Sequence, residues 1–179
     1  HDVPDWYIES CKKIKYMFPK AHAAAYVMSA IRLGWFKVYE PLVFYSAFLT
    51  AAPGGFDAGI VGGGRAVIMR KIEEIESDKD ATPNDKSMVS TLLLANEAIA
   101  RGIKFLPVSF EKSDSFAFLP EDGKIRMPFS SLAGVGENAA KSIKEVRDRE
   151  KIFSIEDLRE KAKLTKAVVD ILRENGALK

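Results

Sequence analysis

Ser130-Ser131-Leu132-Ala133-Gly134-Val135-Gly136-Glu137-Asn138-Ala139-Ala140-Lys141-Ser142-Ile143 decides how this chain is read. A glycine, an apolar residue and a second glycine precede a run of small residues. The glycines permit a tight turn and a close approach by another backbone. Val135 is placed to plug that turn into a core. Ala139, Ala140 and Ile143 let two helices pack closely. The helix that begins after Gly136 presents N–H groups with no partner inside the helix, at the positive end of its dipole, and this suits a phosphate. Lys141 and Lys144 follow on the first turns and are expected to add charge. A side chain at Gly136 is expected to clash with the turn and with an approaching backbone. A helical hairpin with no ligand carries the same local pattern, so the stretch alone leaves both readings open.

Working outward, Phe153 to Leu178 reads as a second, degenerate hairpin. Ile155-Glu156-Asp157-Leu158 starts one helix and Thr165 caps the next, but no Gly-x-Gly joins them. It is expected to pack against the first hairpin, with a minor phosphate role for Lys163, Thr165 and Lys166. Upstream, Ile103–Val108, Ser115–Leu119 and Lys124–Pro128 are short and alternating or apolar. Glu121-Asp122-Gly123 between the last two signals a hairpin turn, and the whole predicts a small β joint. Everything before it reads as helix. Asp2 and Pro4 open a first helix, Phe18-Pro19 breaks it, and a second runs from about Lys20 to Val38 with Val27, Ile31, Trp35 and Val38 as an apolar stripe. Leu42 to Ala52 predicts a buried helix closed by Pro53-Gly54-Gly55. Phe56 to Ile75 predicts a helical region interrupted at Gly62-Gly63-Gly64. Ser77 to Lys86 reads as a loop or the start of a helix, and Ser87 to Arg101 as a helix ended by Gly102.

Composition bounds the possibilities. The chain has 179 residues, 47% of them hydrophobic, which is enough for a core and excludes general disorder. A formal charge of +2 does not announce a nucleic-acid binder, so any basic surface must be local. One cysteine, Cys11, excludes a disulfide framework and a cysteine-rich zinc site. The most apolar run, Pro41 to Ala52, is about half the roughly 20 residues that a bilayer requires, so no membrane partner is expected. The acidic start, His1-Asp2-Val3-Pro4-Asp5, lacks Met and lacks a signal peptide, which suggests a fragment or a processed chain.

A second cluster lies near the start. Lys12, Lys13, Lys15 and Lys20 fall between Cys11 and His22 with no acid among them. Lys20 and His22 sit in the first turn of a helix, where an anion is favoured, and Tyr26 shares a face with His22. This arrangement suits a polyphosphate, although a lysine cluster is equally what a solvated face looks like.

The pattern Gly134-Val135-Gly136 before a helix matches the helix-hairpin-helix motif, in which hairpin carbonyls hold a monovalent cation; the matching carbonyls are those of Ser130, Leu132 and Val135. Trp6 to Tyr26 resembles, almost residue for residue, the fingers motif of Gram-positive-type DNA polymerase III alpha subunits, the PolC branch of the C-family replicative DNA polymerases. The resemblance continues through Phe36-Lys37-Val38-Tyr39, Arg101-Gly102-Ile103 and Leu106-Pro107-Val108, and ends in Gly134 to Ala140. It implies a mainly α chain in three parts: a helical fingers region over 1–105, a β-hairpin connector over 106–130 and a helix-hairpin-helix region over 131–179. It also implies that Lys15, Lys20 and His22 contact an incoming dNTP, with Tyr16, Phe18 and Tyr26 shaping the pocket. Gly134, Val135, Gly136, Asn138, Ala139, Lys141 and Lys144 would contact the template–primer duplex.

Phosphoryl transfer needs clustered carboxylates that hold Mg2+. The resemblance puts these in a palm outside this sequence, and Asp78, Asp80 and Asp85 read instead as solvated. The chain alone is therefore expected to be inactive and to bind no cofactor strongly beyond a monovalent cation. Its implied partners are DNA, dNTP and the palm and thumb, with the sliding clamp reached only through sequence outside these residues, in a bacterial cytoplasm. The glycine-rich stretch Ala51–Arg65 departs from the family pattern, and Gly62-Gly63-Gly64-Arg65 is not a phosphate loop because no Gly-Lys-Ser/Thr follows. Two other readings remain. One is a stand-alone, non-catalytic helix-hairpin-helix module, against which the Lys20/His22 helix speaks. The other is a helical interaction domain, against which Gly134–Gly136 with Lys141 and Lys144 speaks.

Overall fold

The computed structural model describes residues 2–14, 19–52 and 55–178. Lys15, Tyr16 and Phe18 of the expected nucleotide cluster lie outside the described residues, as do Pro53 and Gly54 of the expected helix stop. The chain divides into two compact units, residues 1–39 and 40–179.

The first unit contains α1 (Asp5–Lys13) and α2 (Lys20–Tyr39). Pro4, rather than Asp2, is the residue before the first helix, and no side chain caps it. Pro19 starts α2, its carbonyl accepting from the amides of His22 at 2.9 Å and Ala23 at 3.2 Å. Neither helix buries a residue. The expected stripe of α2 is exposed along its length, with Ile31 at 66% and Trp35 at 51%. The neighbouring Met28, Leu33, Phe36 and Tyr39 are exposed too, so α2 is apolar on more than one face and has too little of its own to pack against.

The second unit begins with α3 (Pro41–Ala51), α4 (Ala58–Gly62), α5 (Arg65–Ser77) and α6 (Pro83–Ala100). Asp57 caps α4, and Gly64, at φ +81°, separates α4 from α5 as the glycine run predicts. The α6 helix starts a turn earlier than the apolar pattern suggests. Thr82 accepts from the Asp85 amide while Asp85 accepts from the Thr82 amide, a capping box that turns a polar stretch into a first turn. It ends as expected: Gly102 donates to the Ile99 carbonyl and Ile103 to that of Ala98, a Schellman close with Gly102 at φ +85°.

The β joint forms, with shorter strands than expected. β1 (Phe105–Leu106) pairs parallel with β3 (Lys124–Arg126), which pairs antiparallel with β2 (Leu119–Glu121). Asp122 and Gly123 both have positive φ, the geometry of a two-residue type I′ hairpin. The strands are short for local reasons. Beyond β1 the Pro107 carbonyl is taken by the Arg126 side chain rather than by a neighbouring strand. The amides of Phe116 and Ala117 are taken by the Asp114 carboxylate, so Ser115 to Phe118 cannot join the ladder. Arg126 donates twice to Glu121 and once, at 2.7 Å, to the Pro107 carbonyl. The Arg126 guanidinium, helped by Lys112, pulls the Glu121 carboxyl down to about 2.

After a 3-10 turn (Phe129–Ser131) come α7 (Glu137–Arg149), α8 (Ile155–Lys161) and α9 (Lys166–Glu174). One buried core runs from Tyr45 and Leu49 on α3 through Ile125 and Phe129 to Ile143, Leu158 and Leu172. A second, of Val61, Ile68, Ile72, Leu92 and Ala95, joins α4, α5 and α6.

Candidate nucleic-acid interface

The first hairpin turns where the glycines predict. Gly134 sits at φ +88°, and a Cβ there would lie 2.6 Å from Cδ1 of Ile171. Gly134 is thus both a left-handed position and a contact with α9. Gly136 differs. It precedes α7 at φ −69° and ψ 162°, and a Cβ there meets nothing within 4 Å. The expected clash of a Gly136 side chain with the turn is corrected: it would point into open space on the outer side of the turn.

Val135 is buried, as the plug position requires, so only its backbone can face a ligand. Ala140 and Ile143 are fully buried, while Gly136, Glu137 and Asn138 are exposed and Ala139 is half-buried. No side chain caps α7. The amide of Ala140 donates to the Gly136 carbonyl; among the described residues no acceptor meets the amides of Glu137, Asn138 and Ala139. These amides form an exposed, uncapped helix start. Glu137 itself adds a negative charge to this first turn.

The two lysines of the motif are drawn elsewhere. Lys141 Nζ lies 5.3 Å from the ring centre of Phe116. Lys144 Nζ is 3.2 Å from Asp148 and 3.6 Å from Asp114. Hydrogen bonding to Asp148, then the nearby charge of Asp114, raises the Lys144 pKa. Its charge is compensated in place and is not aimed at the hairpin.

Of the hairpin carbonyls, that of Leu132 accepts from the Val135 amide at 3.0 Å and keeps one lone pair. Those of Ser130 and Val135 accept no backbone hydrogen bond among the described residues, so the three oxygens suit a weakly bound monovalent cation in chemistry. No group of three or more His, Cys, Asp or Glu among the described residues could hold a metal ion.

The second hairpin is better formed than its sequence suggests. Lys163, at φ +52°, takes the place that glycine takes in the first. Its amide donates to Glu160 and that of Leu164 to Arg159, which closes α8 as a Schellman turn. Leu164 is buried like Val135. Thr165, at φ −72° and ψ 157°, caps α9 by accepting from the Val168 amide. By backbone dihedrals Gly134 corresponds to Lys163 and Gly136 to Thr165, which pairs Val135 with Leu164 and Glu137 with Lys166. Ala140 then matches Val169 and Ile143 matches Leu172, all four of them buried. The repeat of buried positions was the signal for this; the missing glycine hid it. The α9 start carries no acid in its first turn, and neither Lys163 nor Lys166 has a carboxylate at ion-pair distance among the described residues. Ser142 Oγ on α7 donates to the Ala162 carbonyl at 2.8 Å, and this ties the two hairpins together.

In the first unit, Lys20 and Tyr26 are exposed and His22 is half-buried. The rings of His22 and Tyr26 meet edge to face at 4.5 Å, so the predicted shared face exists. No helix among the described residues is long and apolar enough to cross a membrane.

Two hairpins of this geometry, packed on one another, define a helix-hairpin-helix region, and the helix-hairpin-helix motif family matches residues 102–179. The similarity to whole proteins is wider. The chain is 46% identical over 179 residues to a PolC-type DNA polymerase III of Halalkalibacterium halodurans, covering 99% of this chain and 12% of the relative. It is 46% identical to the PolC-type enzyme of Caldanaerobacter subterraneus, covering 13% of it. It is 42% identical over 176 residues to that of Thermotoga maritima, covering 98% of this chain and 13% of the relative. The chain belongs to the PolC-type DNA polymerase III family and spans 12–13% of the length of these relatives.

Proposed function

We propose that this chain grips the sugar–phosphate backbone of duplex DNA as part of a replicative DNA-directed DNA polymerase. The observation that supports it is the pair of exposed helix starts, Gly136–Ala139 and Thr165–Ala167, both in one packed region. Amides at such starts, with Lys163 and Lys166, bind phosphate without reading bases. In this reading residues 1–105 act as fingers, 106–130 as connector and 131–179 as the duplex grip, with a monovalent cation on the carbonyls of Ser130, Leu132 and Val135. Lys20 and His22, with Tyr26 beside them, face the triphosphate of the incoming dNTP. The palm and thumb lie in other parts of a longer protein, with the Mg2+ site in the palm. The sliding clamp is engaged by sequence outside these residues, and the whole works in the bacterial cytoplasm.

Fluorescence anisotropy with a labelled duplex at graded salt tests the grip. With about four phosphates neutralised, log affinity falls with log salt at a slope near −3.6, with little dependence on sequence. A flat salt response refutes the phosphate account. Primer extension by this chain alone should give no product, and templated synthesis would show that the active centre has been misplaced. In a full-length relative, Lys20→Ala and His22→Ala at the matching positions should raise KM for dNTP; unchanged nucleotide kinetics in both would reassign that turn to packing.

A further inference from the structure

The first hairpin lacks one of its two helices. Before Gly134 stands only the 3-10 turn Phe129–Ser131, and a single such turn is too short to brace the loop that follows. The bracing comes from a loop distant in sequence. The Asp114 carbonyl accepts from the Phe129 amide at 2.9 Å, and the Ser115 carbonyl from the Ser130 amide at 3.0 Å. The Asp114 side chain reaches the other arm, its Oδ2 lying 3.6 Å from Nζ of Lys144 on α7. Its Oδ1 accepts from the amides of Phe116 at 2.9 Å and Ala117 at 3.0 Å, which folds the loop on itself as an Asx turn. Arg147, further along α7, donates from Nη1 to the carbonyls of Phe110 at 2.9 Å and Ser113 at 2.5 Å. Asp114 is thus the one residue of this loop that bonds to both arms of the hairpin and also sets the loop's own turn.

Burial works against the charge on Asp114. The amides of Ala117 and Phe116, and then the Lys144 ammonium, outweigh it and hold the carboxyl below its usual range. One carboxylate oxygen is thus hydrogen-bonded within the loop and the other faces the Lys144 ammonium.

We propose that Asp114 is a positioning residue for the DNA-facing hairpin: it stands in for the missing helix, fixing the angle between the 3-10 arm and α7 and so the direction in which the amides of Glu137, Asn138 and Ala139 point. This rests on the duplex-binding reading of the same site. Asp114 touches no DNA itself. It acts through the Phe129 amide on one arm, through Lys144 on the other, and through the turn that holds its own carbonyl in place.

The test compares the parent chain with Asp114→Ala and Asp114→Asn, by duplex anisotropy and by amide hydrogen exchange. Asparagine keeps an oxygen that can accept from Phe116 and Ala117, and loses only the charge opposite Lys144. Alanine loses the turn. Asp114→Ala should bind duplex roughly tenfold more weakly, the cost of misaiming a charge-assisted hydrogen-bond pair, and exchange at the Phe129 and Ser130 amides should quicken. Asp114→Asn should fall between the two, about threefold weaker than the parent, the share that the part-exposed ion pair to Lys144 carries. A purely structural role would move stability and leave this rescue pattern absent. Parent-like binding by Asp114→Ala overturns the proposal, as does asparagine binding as weakly as alanine. If the parent shows no salt-dependent binding, the duplex reading itself fails and this proposal with it; if the parent binds and the alanine variant is unaltered, this proposal alone fails. Should Asp114→Ala not fold, exchange in the parent decides. Protected amides at Phe129 and Ser130 that become slower still with DNA support the brace, and unprotected ones overturn it.

Discussion

Gly134 and Gly136 look interchangeable in the sequence and are opposites in the fold, so replacing each by alanine separates packing from binding. At Gly134, φ +88° puts an alanine in the left-handed region, which costs about 1–2 kcal/mol for a residue with a Cβ. The new Cβ would also stand 2.6 Å from Cδ1 of Ile171. That atom ends a flexible side chain, so the overpacking falls at the low end of about 1–3 kcal/mol. Together the loss is about 2–4 kcal/mol. With a urea slope of about 2 kcal/mol per molar, the unfolding midpoint should fall by about 1–2 M. Putting Gly134→Ala into an Ile171→Val background removes the clashing carbon and should restore the overpacking share but not the backbone share, which a double-mutant cycle reads directly. At Gly136, φ is ordinary and the space is open. The poorer helix cap and the stiffer unfolded chain oppose one another, so Gly136→Ala should change stability by less than about 1 kcal/mol. In the proposed duplex grip its Cβ would stand in the path of a phosphate, so duplex affinity should fall. Equal urea midpoints for the two variants, or Gly136→Ala the less stable, would refute the reasoning.

Lys163→Gly should stabilise the chain by up to about 1 kcal/mol, because glycine relieves a left-handed backbone; it should also make the salt dependence of duplex binding shallower by removing one cation, both readable by urea melts and anisotropy. Glu121, with its carboxyl pulled down to about 2 by Arg126 and Lys112, binds a proton less readily folded than unfolded. Its contribution to stability is therefore complete above its ordinary carboxylate value and is lost as pH falls toward 2. Glu121→Gln should flatten acid unfolding curves in that window, and an unchanged pH profile would remove the pair from the account. The exposed apolar residues of α2 should drive self-association; Ile31→Lys with Trp35→Glu should shift the chain toward monomer in sedimentation without lowering its melting temperature, since both side chains are more than half exposed.

Elements whose cause lies within a few residues were legible before any coordinates. The start of α2 after Pro19, the break at Pro41, the Gly62–Gly64 interruption, the Gly102 close of α6 and the Asp122-Gly123 hairpin each follow from the backbone preferences of one or two residues, and each stands where it was expected, whereas α1 ends at Lys13, ahead of the expected Phe18-Pro19 break. The start of α6 was misjudged by a turn because Thr82 and Asp85 supply hydrogen bonds that an apolar pattern does not record. The strands were overestimated because alternation cannot show that Asp114 takes the amides of Phe116 and Ala117.

The candidate site divides the same way. Gly134, Val135 and the small residues of α7 announce a hairpin by themselves, since a tight turn, a plug and a close helix contact each need a particular side chain. Lys144 is paired first with Asp148, four residues on and visible in the sequence, and second with Asp114, thirty positions away, which only the fold brings near. Whether Lys163 could do a glycine's work depended on Leu164 and the surrounding core repaying about 1–2 kcal/mol of left-handed strain. Local chemistry acts through neighbours along the chain, and the sequence states it. Charge pairing and tolerance of strain act through neighbours in space, and only the packed structure decides which those are.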